Sequence, residues 1–344
     1  MRLLCWEGYD RPEILGEFAR SHSIQATAQT LLSDAHTAQE LLASDSHSWD
    51  VLNINNAWVQ DYLCDRGKIM ALSENRFAPA FDKLLPEFDR LGQWARDRQG
   101  NIIGICQRFG AFNLVVNSDR IDSVAAEDQG FNLAHDPKQR FGILSYDDFT
   151  IFHICLGANL NPFIELDDQS LQAFSAVATD WFDRAELITD DHKQLNRALL
   201  AGDIDFYISG GVYTVSEARL NGHTQLLAIT PRSGSIEGLG GIVFTEITSV
   251  LQATHSPALG TAFLEFILQP EIAHRVATCP DTLNPVAQMA DAAVFDRFSK
   301  QQLDAIQWDT LSADIDRCAM YQIPPNQPEL LRRLQQARHA AGKN

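Results

Sequence analysis

Short apolar runs alternate along the chain with stretches whose apolar residues recur every three or four positions. Strands are predicted where the apolar runs lie, at 3–5, 50–54, 102–106, 112–116, 141–145, 205–208 and 226–229. Amphipathic helices are predicted by the stretches between them, among them 12–22, 35–43, 84–98, 167–184 and 328–341. Strands that alternate with helices are typical of α/β sheets, and the pattern starts afresh near residue 141, so we expect two α/β lobes.

A glycine-rich stretch at 232–241 follows the last predicted strand of the second lobe. It lacks the Lys-Ser/Thr ending of a phosphate-binding loop, and the apolar run after it, at 242–244, predicts another strand. Because glycine tolerates hinge dihedrals, we expect a crossover between lobes there. The residues at 107–110, between two predicted strands, are interpreted as a turn.

Aromatic, amide and acidic residues follow the predicted strands at the point where each strand ends. In open α/β sheets, ligands bind outside the carboxyl ends of the strands, so these residues form the candidate binding site. The candidates are Trp6, Glu7, Tyr9, Asn55, Asn56, Trp58, Arg108, Phe109, Asp147, Ser209 and Gly210, together with Glu237 of the glycine-rich stretch. Rings and carboxylates together suit a small polar molecule, often a cation.

Four of these candidates also have a plain structural explanation, which the sequence leaves open. Trp6 and Tyr9 could merely cover the end of the sheet. Asp147 opens a predicted helix, where acids are favoured by capping and by the helix dipole. Arg108 is either a surface residue or the partner of a ligand carboxylate.

The chain has 344 residues and a net charge of −18. The length favours two domains. A surface with this much negative charge repels nucleic-acid phosphates and anionic lipids. We therefore expect neither nucleic acid nor a membrane surface as a partner. No apolar run reaches 18 residues, which argues against a transmembrane helix. No signal peptide precedes the first strand, so we expect either a cytoplasmic protein or a mature domain whose leader was removed.

The six cysteines form no CxxC pair, and the ten histidines form no HxxxH or HExxH pattern. Most of the cysteines lie in apolar runs, so we expect buried free thiols, no metal and no cofactor. Cys106 lies at the end of a predicted strand. It is the candidate nucleophile if the chain is an enzyme on this fold. Asp147 and Glu237 are the alternative acid/base pair for such an enzyme.

Several motifs follow one another in an order that is shared with a known family. They are Leu4-Cys5-Trp6-Glu7-Gly8-Tyr9 with Pro12-Glu13-Ile14-Leu15, then Asp50-Val51-Leu52 through Trp58, then Ala201-Gly202-Asp203-Ile204-Asp205, and finally Gln269-Pro270-Glu271-Ile272-Ala273. Their order resembles the polyamine-type (spermidine/putrescine) solute-binding proteins of bacterial ABC importers, to about residue 320. The resemblance implies a two-lobed α/β fold, the type II periplasmic binding protein or Venus flytrap.

The resemblance also implies roles for single residues. Trp6 and Tyr9 match aromatic positions that line the polyamine cleft of the family, and Asp147 matches a carboxylate that binds an amine. Other positions depart from the family pattern: Thr150 replaces a second carboxylate, Ser209 a tryptophan, Gly238 and Gly240 a tryptophan and an aspartate, and Thr282 lies near the place of a tyrosine. The departures imply a ligand other than a long diamine, such as a shorter or bulkier amine, an amino-acid-like compound or an opine-like conjugate whose carboxylate meets Arg108.

From the resemblance we expect a monomeric periplasmic protein that is not an enzyme. It would bind a small nitrogen-containing solute in an interlobe cleft and deliver it to the permease membrane subunits of an ABC importer. The lobes would comprise 1–111 plus 240–288 and 112–239 plus 289–344, with hinge strands near 110–112 and 238–242. An enzyme that uses Cys106 as nucleophile and a cytoplasmic ligand sensor are the alternatives.

Overall fold

The computed structural model of the chain describes residues 1–43, 49–85 and 92–342. The helix predicted at 84–98, from the spacing of Leu85, Phe88, Leu91 and Trp94, falls partly outside the described residues. Its described part contains one short 3₁₀ turn, Gln93–Ala95.

The chain forms two compact units. Unit 1 comprises Met1–Phe109 and Phe244–Leu303, and unit 2 comprises Gly110–Val243 and Asp304–Asn344. Residues 289–303 thus lie in unit 1, whereas the sequence predicted them in the second lobe. They pack with unit 1 because the ring of Phe298 meets the ring of His274 edge-on, with centroids 4.7 Å apart.

Strands run through both units. In the described part they are β1 (Arg2–Cys5), β2 (Thr27–Thr30), β3 (Val51–Asn55), β4 (Ile105–Asn117), β5 (Phe141–Leu144), β6 (Leu187–Thr189), β7 (Phe206–Gly210), β8 (Leu226–Ile229), β9 (Gly241–Val250) and β10 (Cys318–Met320). The turn predicted at 107–110 is instead part of β4. All 13 residues of β4 are buried, and a buried turn would leave backbone groups without partners.

In unit 1 the strands follow the order β2-β1-β3-β9. Strand β1 runs parallel to both β2 and β3, whereas β9 runs antiparallel to β3. Because β1 and β3 are parallel neighbours, the residues that follow Cys5 and Asn55 lie at the same edge of the sheet.

In unit 2 strand β5 lies between β6 and β7 and runs parallel to both. Strand β4 pairs antiparallel with β7 and β8, and β10 pairs parallel with the start of β9. The residues that follow Leu144 therefore lie at the same edge as the end of β7.

Helices connect the strands. Within the residues that the structure describes they are α1 (Glu17–Ser21), α2 (Asp34–Ala43), α3 (Glu74–Phe81), α4 (Ser123–Gln129), α5 (Asp147–Gly157), α6 (Asp168–Arg184), α7 (His192–Ala201), α8 (Val212–Leu220), α9 (Pro257–Ile267), α10 (Pro270–Ala277), α11 (Ala292–Phe295), α12 (Lys300–Ala305), α13 (Leu311–Asp316) and α14 (Gln327–Ala340). Two π-helical turns, Pro12–Gly16 and Trp58–Cys64, follow the ends of β1 and β3. The alternation of strands and helices confirms the α/β class that the apolar pattern predicts.

Candidate functional site

A tight loop after β1 carries the first candidates of unit 1. Gly8 permits this loop, because it adopts a φ of 107° that residues with a Cβ rarely adopt. A Cβ at this position would also lie 3.0 Å from Cys279 Sγ. Tyr9, the next residue, is fully buried, and its ring centroid lies 5.2 Å from the guanidinium carbon of Arg108.

Arg108 forms a buried ion pair with Glu246, a residue that the sequence did not single out. Its Nε and Nη2 lie 3.1 and 2.9 Å from the two carboxylate oxygens of Glu246. Burial opposes a charge on Arg108, but Glu246, Tyr9 and Glu7 outweigh it and raise the pKa of Arg108. Arg108 is therefore not a surface residue, and its carboxylate partner belongs to unit 1 itself.

The groups around this ion pair are held in their ordinary protonation states. Burial raises the pKa of Tyr9, and the nearby Glu246 carboxylate raises it further, so the phenol stays neutral. Burial likewise raises the pKa of the Cys5 and Cys279 thiols. Burial raises the pKa of the Glu246 carboxyl, and the charge and hydrogen bonds of Arg108 oppose that rise. The cluster is thus a buried ion pair beside a neutral phenol and two neutral thiols.

Asp34 is a second buried carboxylate of unit 1, with 1% of its surface exposed. Its Oδ1 accepts a hydrogen bond from Trp6 Nε1 at 3.1 Å, and its Oδ2 accepts one from Asn55 Nδ2 at 2.7 Å. Asp34 thereby fixes the half-buried Trp6 indole at the end of β1. Sequence reasoning missed Asp34 because an acid at a helix start is ordinarily explained by capping.

Three further candidates of unit 1 lie in its interior. Asn56 Oδ1 accepts a hydrogen bond from the backbone N–H of Thr245 at 3.2 Å. Trp58 packs edge-on against Tyr62, with ring centroids 5.1 Å apart, and Phe109 is fully buried. These side chains hold the sheet edge together.

Glu7 and Trp6 are the candidates of unit 1 that keep substantial solvent exposure. The Glu7 carboxylate makes no hydrogen bond or ion pair with any residue in the described part of the chain. A carboxylate that follows a fixed indole in the chain can bind a cationic group.

In unit 2 Asp147 opens helix α5 and is ion-paired with Arg338 of helix α14. The side chains of Asp147 and Arg338 are 32% and 19% exposed. The neighbouring Asp148 is nearly buried and accepts a hydrogen bond from Gln327 Nε2 at 3.2 Å. Both acids at this helix start therefore have partners on α14.

Thr150 and Ser209 meet at the edge where β5 and β7 end. Their hydroxyl oxygens lie 3.1 Å apart, and both residues are fully buried. Ser209 adopts a φ of 68°, at a point where the register of β7 against β4 shifts. Its backbone N–H donates to His153 Nδ1 at 2.7 Å. Burial lowers the pKa of His153 to about 3, so this imidazole is neutral.

The remaining candidates of unit 2 provide backbone or exposed groups. A Cβ at Gly210 would lie 2.5 Å from the Tyr207 ring, so only glycine fits there. Glu237 lies exposed in a tight turn closed by a bridge between Gly234 and Gly238. Among the described residues, no hydrogen bond or other contact joins Glu237 to Asp147, the two acids considered as an acid/base pair.

Cys106 does not have the properties of a nucleophile. Burial raises the pKa of its thiol to about 12, so the thiolate is scarce at neutral pH. Among the described residues no group of three or more His, Cys, Asp or Glu side chains could hold a metal ion. Within 1–43, 49–85 and 92–342, no helix is both long and apolar enough to cross a membrane.

Solved structures of transport proteins resemble this chain. PotD of Streptococcus pneumoniae, a spermidine/putrescine ABC transporter substrate-binding protein, is 14% identical with a TM-score of 0.69, and the match covers 98% of this chain and 99% of that chain. The Tp0655 (TpPotD) lipoprotein of Treponema pallidum is 13% identical with a TM-score of 0.71, over 99% of this chain and 98% of that one. The chain has the fold of an ABC substrate-binding protein.

A third similar structure comes from a protein with a different ligand. MotA of A. tumefaciens in complex with glucopine is 12% identical with a TM-score of 0.65, over 99% of this chain and 98% of that chain. No protein-family model matches the chain, and no curated protein sequence matches it either. The family resemblance read from the motifs is thus confirmed at the level of the substrate-binding-protein fold.

Proposed function

We propose that this protein is the substrate-binding component of an ABC importer and binds a small nitrogen-containing solute. The observation that carries the proposal is the structural match to PotD of Streptococcus pneumoniae over 98% of this chain and 99% of that chain. The match includes both units and not only the sheet of one of them. It therefore supports the proposal that this chain and PotD work by the same mechanism.

The strand-end residues support a nitrogen-containing ligand. Trp6 is held by Asp34, and the Glu7 carboxylate makes no hydrogen bond or ion pair within the described residues, so an indole and a carboxylate are close together in the chain. A ring face and a carboxylate bind an ammonium group through cation–π attraction and a charge-assisted hydrogen bond.

The named ligands of the similar proteins also favour this class. PotD is named for spermidine and putrescine, MotA is in complex with glucopine, and AgtB of A. tumefaciens is in complex with agropinic acid. The fold therefore serves ligands of several kinds, and an amine or amino-acid-derived compound fits the residues of this chain.

Under this proposal the chain is a periplasmic monomer without enzymatic activity that hands its solute to the permease membrane subunits. Strands β4 and β9, on which the chain passes between the units, would carry the hinge that the sequence predicts near 110–112 and 238–242.

A thermal-shift screen against amines, amino acids, betaines and opine-like conjugates tests the proposal. A ligand at about 100 times its dissociation constant adds roughly 2.7 kcal/mol of stability, which raises the melting temperature by several degrees. The shift should disappear in Trp6→Ala and Glu7→Gln and persist in Glu165→Gln, which makes the same change at an exposed acid of unit 2. A protein that no compound stabilises, or that consumes the compound it binds, would contradict the proposal.

A further inference from the structure

Unit 1 contains a cavity of about 180 Å³ whose lining residues are other than the strand-end candidates. Its walls come from helix α3 and the residues just after it, from Leu268 at the end of α9, and from the 3₁₀ turn Ala287–Ala290 with the start of α11. All of these residues belong to unit 1. Because an apolar cavity of about 150 Å³ can hold a benzene molecule, this one has room for a ring with a small substituent.

Gln288 is the buried polar residue of the cavity lining, with 4% of its surface exposed. Its side-chain Nε2 donates a hydrogen bond to the backbone carbonyl of Cys106 at 2.7 Å, which fixes the orientation of the amide. The other end of the amide, Oε1, is buried and accepts no hydrogen bond from any residue in the described part of the chain. A buried acceptor without a donor is unfavourable, so a molecule in the cavity that supplies an O–H or N–H group would be stabilised there.

Apolar side chains form most of the remaining lining, namely Pro79, Ala80, Leu268 and Val294. Ala80, Leu268 and Gln288 also border a smaller hollow, on whose other sides lie Phe81, Leu84, Ile105 and Cys106. Burial raises the pKa of the Cys106 thiol to about 12, so this thiol is uncharged at neutral pH. The inner surroundings of the cavity are therefore apolar and uncharged, and Gln288 is their hydrogen-bonding group.

The charged residues of the lining are already paired within unit 1. Arg76 Nη2 lies 2.6 Å from a carboxylate oxygen of Glu265, and Lys83 Nζ lies 2.8 Å from one of Asp291. The side chains of both cations are largely exposed, so these ion pairs lie on the solvent side of the cavity. A charged ligand would lose water without gaining a free counter-charge, whereas an uncharged ligand would not pay that penalty.

We propose that this cavity is a second binding site, which takes an uncharged and largely apolar molecule about the size of phenol, and that Gln288 accepts a hydrogen bond from its hydroxyl or N–H group. The ligand class differs from the nitrogen-containing solute proposed above, which would meet the Glu7 carboxylate. The second site uses residues of unit 1 alone and does not depend on the proposed transport function.

The test is an NMR titration of the full chain with phenol and with toluene, which has a similar shape but no hydrogen-bond donor. The methyl resonances of Leu268 and Val294 should shift saturably with phenol, and those of Leu195, buried in unit 2, should not. The dissociation constant of toluene divided by that of phenol gives a selectivity ratio for each protein. Gln288→Met keeps a side chain of similar length without the amide oxygen, and it should lower this ratio at least tenfold. Comparing the ratio between two proteins cancels the difference in hydration between the two compounds.

Two further variants serve as controls. Gln307→Met makes the same change at a buried glutamine of unit 2, whose amide bonds both the N–H and the carbonyl of Ala228, and it should leave the ratio within about twofold. Ala80→Leu keeps Gln288 but fills part of the cavity, so it should weaken the binding of both compounds at least tenfold. This variant also tests the site if Gln288→Met does not fold.

Three results would overturn the proposal. Phenol that shifts the methyls of Leu268 and Val294 no more than those of Leu195 would show that the cavity holds water only. A selectivity ratio that is unchanged in Gln288→Met would show that the amide oxygen does not accept the hydrogen bond. Full binding in Ala80→Leu would place phenol elsewhere on the protein. None of these results bears on the transport function, which the amine screen tests separately.

Discussion

The indole N–H of Trp6 donates a hydrogen bond to the buried Asp34 carboxylate at 3.1 Å. The same carboxylate accepts from the side-chain amide of Asn55 at 2.7 Å. One acid from the start of α2 thus fixes the residues that end β1 and β3. The Trp6 ring is held in one orientation before any ligand arrives, and such preorganisation lowers the entropic cost of binding.

Replacing Asp34 with Ala should disturb this arrangement. The Trp6 N–H and the Asn55 amide would lose a charged acceptor, so we expect the free energy of unfolding to fall by about 2–3 kcal/mol. The indole ¹⁵N–¹H resonance of Trp6, assigned with Trp6→Phe, should move upfield in the NMR spectrum. The reciprocal variant D34N/N55D keeps a carboxylate–amide pair and should regain most of the stability. A Trp6 resonance that stays in place in Asp34→Ala would contradict the hydrogen bond.

The buried pair of Arg108 and Glu246 makes a second prediction. Arg108→Met leaves the Glu246 carboxylate buried without its partner, and breaking such a pair costs about 3–5 kcal/mol. The double variant R108M/E246L removes both charges and should be less destabilised than Arg108→Met alone. Urea unfolding of the single and double variants measures the difference. Additive losses would show that the two side chains do not interact.

His153 predicts a pH dependence of stability. Burial holds its pKa at about 3 in the folded protein, whereas an unfolded histidine has a pKa of about 6.5. Between these values the unfolded state binds a proton that the folded state does not. Above about pH 6.5 the imidazole is neutral in both states, so His153 does not lower the free energy of unfolding. Below about pH 6.5 the free energy of unfolding falls by about 1.4 kcal/mol per pH unit.

His153→Gln isolates this contribution, because the Gln side-chain oxygen can still accept from the Ser209 N–H. Urea unfolding of both proteins at pH 7 and pH 5 should show the variant losing less stability on acidification, by about 2 kcal/mol. Parallel losses in the two proteins would mean that His153 titrates normally.

The positive φ of Ser209 predicts that two small substitutions at this position differ in stability. Ser209→Ala keeps the φ of 68° with a Cβ and removes the hydroxyl that meets Thr150. Ser209→Gly removes the same hydroxyl but relieves the backbone, so it should be more stable than Ser209→Ala by about 1 kcal/mol. Thermal unfolding compares the two variants directly, and equal melting temperatures would argue against backbone strain at this position.

The apolar pattern was sufficient to predict the strands that end at the candidate site. Runs such as 3–5 and 51–54 are buried on both faces of a sheet, so their composition alone identifies them. The boundary of β4 was mispredicted, because Gly110 and the polar residues before it suggest a turn unless their burial is known. The α/β class and the family resemblance followed from element order, which survives even where single residues differ.

The partners of the candidate residues could not be predicted. Arg108 pairs with a residue 138 positions away, and Asp147 with one 191 positions away. No local signal marks such pairs, since each partner lies in an ordinary strand or helix context. The sequence therefore identified Trp6 and Glu7 as strand-end candidates, whereas the ion-pair partners of Arg108 and Asp147 were found only in the structure.

The chain passes from one unit to the other three times, and this affects the order in which the units can fold during synthesis. Strand β3 pairs with β9, so the sheet of unit 1 lacks this neighbour until residues 241–250 have left the ribosome. Strands β5 to β8 of unit 2 lie wholly within the stretch that is made in between. Unit 2 can therefore assemble its sheet first, while the amino-terminal 109 residues wait with β3 exposed as an unpaired edge, the state in which the nascent protein most needs protection from aggregation.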